Sequence, residues 1–120
     1  IFGCPVLFAR KHKARNMNGE YFTTKVESFT HGTVSTIYVS KKFLTPDSRV
    51  LIIDDFLANG NAVLGLLDIS RQAGVKIAGV GIVIEKSFQE GREKVLNENV
   101  RLESLARIKS LEEGKVYFID

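Results

Sequence analysis

Apolar residues occur in short runs broken by polar turns, and the period of the runs changes along the chain. Pro5 to Arg10 (PVLFAR) is mainly apolar, the pattern of a strand buried on both faces. Asn16, Asn18 and Gly19 then interrupt any regular period. Tyr21 to Val39 is rich in Thr, Val, Phe, Tyr and Ile around a central His31-Gly32, which predicts a β-hairpin or β-arm. Thr45-Pro46-Asp47 turns the chain into the strongest strand pattern, Val50 to Asp54 (VLIID).

After a loop from Asp55 to Gly60, helical spacing begins at Asn61. Ala62, Leu66, Ile69 and Ala73 fall on that period, and Gly74 is placed to end it. Ile77 to Ile84 reads as a long apolar strand running into Glu85-Lys86. Gln89 to Asn97 has the spacing of an amphipathic helix. Val100 to Ile108 and Lys115 to Ile119 read as two last strands, with Glu112-Glu113-Gly114 turning into the second. Buried strands alternating with helices predict an α/β fold with a mostly parallel sheet flanked by helices.

Composition narrows this picture modestly. The 120 residues are 44% hydrophobic and 26% charged, the balance of a globular chain rather than a disordered one. No apolar run is long enough to cross a bilayer as a helix, and no signal-peptide pattern is present. A single cysteine, Cys4, has no internal partner; its bland reading is a small buried hydrophobe beside the first strand. The net charge of +3 says little, but its distribution says more: Arg10, Lys11, His12, Lys13 and Arg15 crowd into one loop. Such a loop suits a polyanionic ligand or a phosphate backbone, although a solvated basic turn is the commoner fate of a charge run.

Ligands of open α/β sheets bind beyond the carboxyl ends of the strands. Three segments are expected on that rim: the basic loop, Asp54 to Asn61, and Glu85 to Phe88. In the second, two adjacent carboxylates end a strand, and a small-residue loop reaches Gly60 where a helix begins. A helix N-terminus offers unpaired N–H groups and partial positive charge, which suit a phosphate. Gly60 permits close backbone approach, Ala58 leaves room, and Asn59 and Asn61 offer side-chain donors. Asp54 and Asp55 can accept from a ribose diol or hold a hydrated Mg²⁺. Phosphate at one end and diol at the other describe a ribose 5-phosphate. The bland alternative is a strand-to-helix turn with two solvated or capping aspartates. No Gly-Lys-Ser/Thr and no GxGxxG accompany the loop, and His12 and His31 lack metal-ligand spacing.

VLIIDDFLANGNA resembles the 5-phosphoribosyl-1-diphosphate signature of the type I phosphoribosyltransferases. VGIVIEKSFQEGR, RLESLARI, LEEGKV and VLFARKHK are similar to the xanthine-using members of that family. The likeness covers nearly the whole chain and is weakest from Ala14 to Pro46.

The resemblance implies the type I phosphoribosyltransferase fold, with 1–120 as the C-terminal part of a single domain whose N-terminal strand and helices are missing. It implies a 5′-phosphate loop of Ala58, Asn59, Gly60, Asn61 and Ala62, with Asp54 and Asp55 facing the ribose hydroxyls. Lys86 would meet an exocyclic oxygen of the base; its alternative is an exposed lysine paired with Glu85 or Glu90. Phe88 would stack near the base, or serve core or lid. Arg10, Lys11 and Lys13 would meet diphosphate, often across a dimer interface, and the Tyr21 to Val39 arm would be a mobile hood. The implied partners are xanthine, 5-phosphoribosyl-1-diphosphate and a second copy in a cytoplasmic homodimer, with Mg²⁺ bound mainly through the diphosphate. Neither membrane nor nucleic acid is expected. The fragment alone is expected to be inactive and poorly stable. Other purine specificities of the same fold, and a regulator that senses phosphoribosyl diphosphate without catalysis, are the competing expectations.

Overall fold

The computed structural model describes residues 3–11, 20–28, 32–112 and 114–119. Two strands, β1 (Tyr21–Ser28) and β2 (Thr33–Ser40), form an antiparallel hairpin in register from Tyr21 opposite Ser40 to Ser28 opposite Thr33. A 3₁₀ turn (Lys41–Phe43) leads to β3 (Arg49–Leu57), α1 (Asn61–Ala73), β4 (Lys76–Lys86), α2 (Gly91–Leu96), β5 (Leu102–Glu112) and β6 (Lys115–Phe118). The second sheet has the order β3-β4-β5-β6. Its first three strands are parallel, and β6 closes the edge antiparallel.

α1 lies between the two sheets. Val63 and Leu67 pack into a core with Ile52, Leu57, Val80, Ile82, Val95 and Leu102. Ile69 and Ala73 face the hairpin side with Ile37, Val39 and Leu44. The helix therefore carries two apolar stripes. Of the residues read as helically spaced, Ala62 is exposed and Leu66 half-buried, while Val63 and Leu67 carry the sheet contact. At Gly65 the hairpin comes so close that an added Cβ would sit 2.6 Å from Val26 Cγ2. Gly74, at φ 71°, ends the helix with its N–H bonded to the last-turn carbonyls, as its position in the sequence predicts.

Several expectations need correction. Pro5–Arg10 is not a buried strand: Val6 and Phe8 are largely exposed, and only Arg10 pairs, with Tyr38 of β2. An apolar run becomes a strand only where another backbone takes its N–H and C=O groups, and among the described residues only Arg10 finds one. Cys4, in the same irregular segment, is exposed rather than buried. The strand read as Val50 to Asp54 continues to Leu57. One face of its sheet is bare, with Leu51, Ile53, Val83 and Leu105 exposed, because both helices pack on the other face. The helix expected from Gln89 to Asn97 is shortened to α2, since Ser87, Phe88, Gln89 and Glu90 form a turn.

Candidate active site

β3 and β4 run side by side, with Phe56 opposite Ile84 and Leu57 opposite Glu85. Their carboxyl ends bring the Asp54–Asn61 and Glu85–Phe88 segments to one rim. Of the basic loop only Arg10 and Lys11 are described, and Arg10 does not join them. Arg10 lines a cavity of about 680 Å³ together with Ser48, Arg49 and Val50, at the amino end of β3. Lys11 is exposed beside it, and Lys13 lies outside the described residues, as do His12, Arg15 and His31.

The loop from Ala58 to Gly60 bends into α1 through Gly60, whose φ of 89° strains any residue with a Cβ. Asn59 Oδ1 accepts the N–H of Asn61 at 3.1 Å, and Leu64 N–H makes the first helical bond to Gly60 O at 2.9 Å. Among the described residues, the N–H groups of Ala62 and Val63 receive no acceptor, so the helix start keeps the two donors an anion needs. Of the two asparagine side chains read above as phosphate donors, Asn61 commits its Nδ2 elsewhere, while Asn59 commits its Oδ1 and not its donor. Asn59 caps the turn, and Asn61 Nδ2 donates to Glu27 O of β1 at 3.1 Å. That bond lays the β1 end nearest the hairpin tip beside the loop, where a small cavity of about 290 Å³ opens.

Asp54 is half-buried and Asp55 exposed. Asp55 N–H donates to Asp54 Oδ1 at 2.9 Å, and Phe56 N–H to Asp55 Oδ1 at 2.8 Å. Burial pushes the Asp54 carboxyl above its ordinary range, and the neighbouring Asp55 carboxylate adds to the rise. The Phe56 N–H holds Asp55 below that range, helped by its bond with Asp54. No cluster of three or more metal-ligating side chains occurs among the described residues. Two carboxylates fit a Mg²⁺ ion that keeps its water and substrate oxygens, and do not fit an all-protein cage.

Lys86 leaves β4 beside Ala58. Its ammonium sits 5.8 Å from the Phe56 ring centre, within cation–π range. The alternative pairings are not formed, because Glu85 is held by Arg92 and Arg107 while Glu90 is bonded to Lys94 at 3.0 Å. Phe88 is half-exposed on the following turn, which removes its core reading.

Two residues at this rim escape sequence reasoning. Glu85 is fully buried, and each of its oxygens has two partners. Oε1 accepts from Arg92 and Ser104, both at 2.7 Å; Oε2 accepts from Ser87 at 2.8 Å and Arg107 at 3.3 Å. Burial alone would raise this carboxyl, but the hydroxyls of Ser104 and Ser87 and the Arg92 guanidinium hold it below its ordinary range. Gly91 N–H donates to Ala58 O at 2.9 Å, and a Cβ on Gly91 would stand 2.4 Å from that oxygen. The one legible signal was glycine opening a helical pattern, a position where it weakens the helix unless backbones meet there.

Residues 1–108 match the family model described as phosphoribosyl transferase domain, and the chain belongs to that family. It is 56% identical over 114 residues to a xanthine phosphoribosyltransferase of Oenococcus oeni, covering 95% of this chain and 55% of that protein. The xanthine phosphoribosyltransferase of Bacillus licheniformis is 56% identical over 117 residues, covering 98% of this chain and 60% of that one. The chain thus spans little more than half the length of these curated relatives. Among solved structures, an adenine phosphoribosyltransferase of Giardia lamblia complexed with 9-deazaadenine aligns with a TM-score of 0.70 at 32% identity, covering 78% of this chain and 52% of that one. One from Leishmania tarentolae gives 0.73 at 21% identity, covering 88% and 51%, and supports the fold alone. These likenesses agree with the type I phosphoribosyltransferase fold expected from the motif.

Proposed function

We propose that the whole protein transfers the phosphoribosyl group of 5-phosphoribosyl-1-diphosphate to xanthine, giving xanthosine 5′-monophosphate and diphosphate, with residues 1–120 as the C-terminal part of one catalytic domain. The observation that carries this reading is the order of groups along one rim: two carboxylates, a loop opening onto free helix N–H groups, and a lysine with no carboxylate partner among the described residues. The xanthine phosphoribosyltransferases of O. oeni and B. licheniformis support the choice of base.

Breaking the C1–O bond to diphosphate leaves positive charge on the ribose ring and needs no protein nucleophile. Ala62 and Val63 N–H groups, with the backbone of Ala58, Asn59, Gly60 and Asn61, hold the 5′-phosphate and fix the sugar. Asp54 and Asp55 accept from the ribose hydroxyls, and Asp55, the more easily ionised, stabilises the developing charge. Lys86 donates to an exocyclic oxygen, a contact that favours an oxygenated purine over one carrying an amino donor. Asp54 and Asp55 would hold the hydrated Mg²⁺ that comes with the diphosphate, and the charge neutralisation it would supply is that of the leaving group. The hairpin, as a mobile hood, limits loss of the activated sugar to water.

The same reading makes the protein a cytoplasmic homodimer in which Arg10, Lys11 and Lys13 meet the diphosphate of the partner's site. No helix among the described residues is long and apolar enough to cross a membrane.

The test is product formation by the full-length protein with phosphoribosyl diphosphate, Mg²⁺ and each purine base. Xanthine should be strongly preferred, and Lys86→Ala should lose that preference. Saturable phosphoribosyl diphosphate binding without turnover on any base would move the protein to the regulator class. Equal use of adenine would overturn the base assignment.

A further inference from the structure

Lys86 and the phosphate loop are neighbours in space, but they are also joined by a continuous set of bonds that avoids the ligand site. Glu85 immediately precedes Lys86. Its carboxylate is sealed from solvent and saturated by Ser87 of the following turn, Arg92 of α2, and Ser104 and Arg107 of β5. Ser87 N–H is bonded to Ile108 O, and Gln89 N–H to Lys86 O, so the turn that presents Lys86 is fixed at both ends. Next to Arg92, Gly91 donates to Ala58 O across a gap too narrow for a methyl group. An added Cβ on Gly60 would likewise stand 3.0 Å from Gly91 Cα. Leu57 and Val95 share one core beneath these contacts.

We propose that the Glu85–Arg92 pair is a positioning device that couples base recognition at Lys86 to phosphate recognition at Ala58–Ala62 through Gly91. The inference rests on the phosphoribosyltransferase reading of the rim and adds to it that the two half-sites are energetically linked. The physical reason is the stiffness of the path. Glu85 is sealed from water while Arg92 keeps about a third of its side chain exposed, so Arg92 cannot turn away without leaving the buried carboxylate short of a partner. Any shift of Arg92 moves Gly91, whose backbone touches the loop with no slack. A loop ordered by phosphate therefore holds α2 in place, and α2 holds the turn carrying Lys86. By linkage the effect is reciprocal: whatever factor phosphate adds to base affinity, the base adds to phosphate affinity.

The experiment is isothermal titration of the full-length protein with xanthine, alone and with saturating ribose 5-phosphate, and then in the reverse order. Wild type should bind each ligand at least about fivefold more tightly in the presence of the other, with the same factor in both orders. Arg92→Ala should bring the factor close to one, and Arg92→Lys should recover part of it. A merely structural role would lower thermal stability and leave the factor intact. A wild-type factor of one, or an Arg92→Ala factor equal to wild type, would overturn the proposal while leaving the assigned reaction standing. Absence of ribose 5-phosphate binding by wild type would instead remove the reaction, and the coupling with it. Should Arg92→Ala fail to fold, Ser87→Ala removes one of the four bonds and decides in its place: a reduced factor supports the coupling, an unchanged one ends it.

Discussion

β3 and β4 end side by side at one rim, and both carry carboxylates within their last few residues, yet these are built for opposite purposes. Asp55 is exposed, and among the described residues its hydrogen bonds are local ones with Asp54 and Phe56 N–H. Glu85 is sealed and saturated by four side chains. Burial raises Asp54, while Glu85, more deeply buried still, is held low because serine hydroxyls and arginines replace the lost water. Depth of burial therefore does not decide whether a carboxylate stays ionised; the donors around it do. A strand-end carboxylate with acceptor positions to spare can receive a ligand. One with none is a bracket for its neighbour.

The largest expected effect lies on the bracket. Glu85→Ala strands Arg92 and Arg107 and should cost about 3 kcal/mol of stability, the low end for a broken buried pair because both arginines keep roughly a third of their surface in water. Chemical denaturation of the full-length protein checks this. Asp55→Asn should do the reverse, leaving stability within about 0.5 kcal/mol of wild type. It should lower kcat/KM by roughly ten- to a hundredfold, the loss of one charged hydrogen bond. If the two substitutions exchanged these effects, the division of labour would be wrong.

Next in size is Gly91→Ala. Its new methyl group cannot fit against Ala58 O, so the loop must shift. Overpacking of this kind costs about 1–3 kcal/mol. The KM for phosphoribosyl diphosphate should rise more than kcat falls, which steady-state kinetics will resolve.

The smallest effect is in the pH dependence of stability. Glu85, with its lowered folded pKa, contributes stability that is present above its unfolded value of about 4.3 and is lost as pH falls through the folded value. Asp54, with its raised pKa, contributes stability present below its unfolded value of about 3.9 and lost as pH rises through the folded one. Glu85→Gln should thus flatten the acid loss of stability, and Asp54→Asn should steepen it. Denaturation midpoints between about pH 3 and 6 measure both.

Much of this rim was legible in the sequence. VLIID followed by a small-residue loop and Gly60 predicts a strand, a turn and a helix start, because apolar alternation, a positive φ and helical spacing are all local properties. The hairpin and Gly74 were legible for the same reason. Glu85's partners were not, since they lie 2, 7, 19 and 22 positions away and meet only when β4, α2 and β5 are assembled. The engagement of Asn61 with Glu27, 34 positions distant, was hidden in the same way. Pro5–Arg10 misled because an apolar run reports a wish for burial and says nothing of what backbone will supply it.

The most direct test of the ligand-receiving role of the β3 end is backbone amide NMR of the full-length protein titrated with phosphoribosyl diphosphate and Mg²⁺. The amides of Ala62 and Val63 should show the largest saturable shifts, with Gly60 following. Saturable binding that leaves these amides unmoved, or no binding at all, would contradict that role.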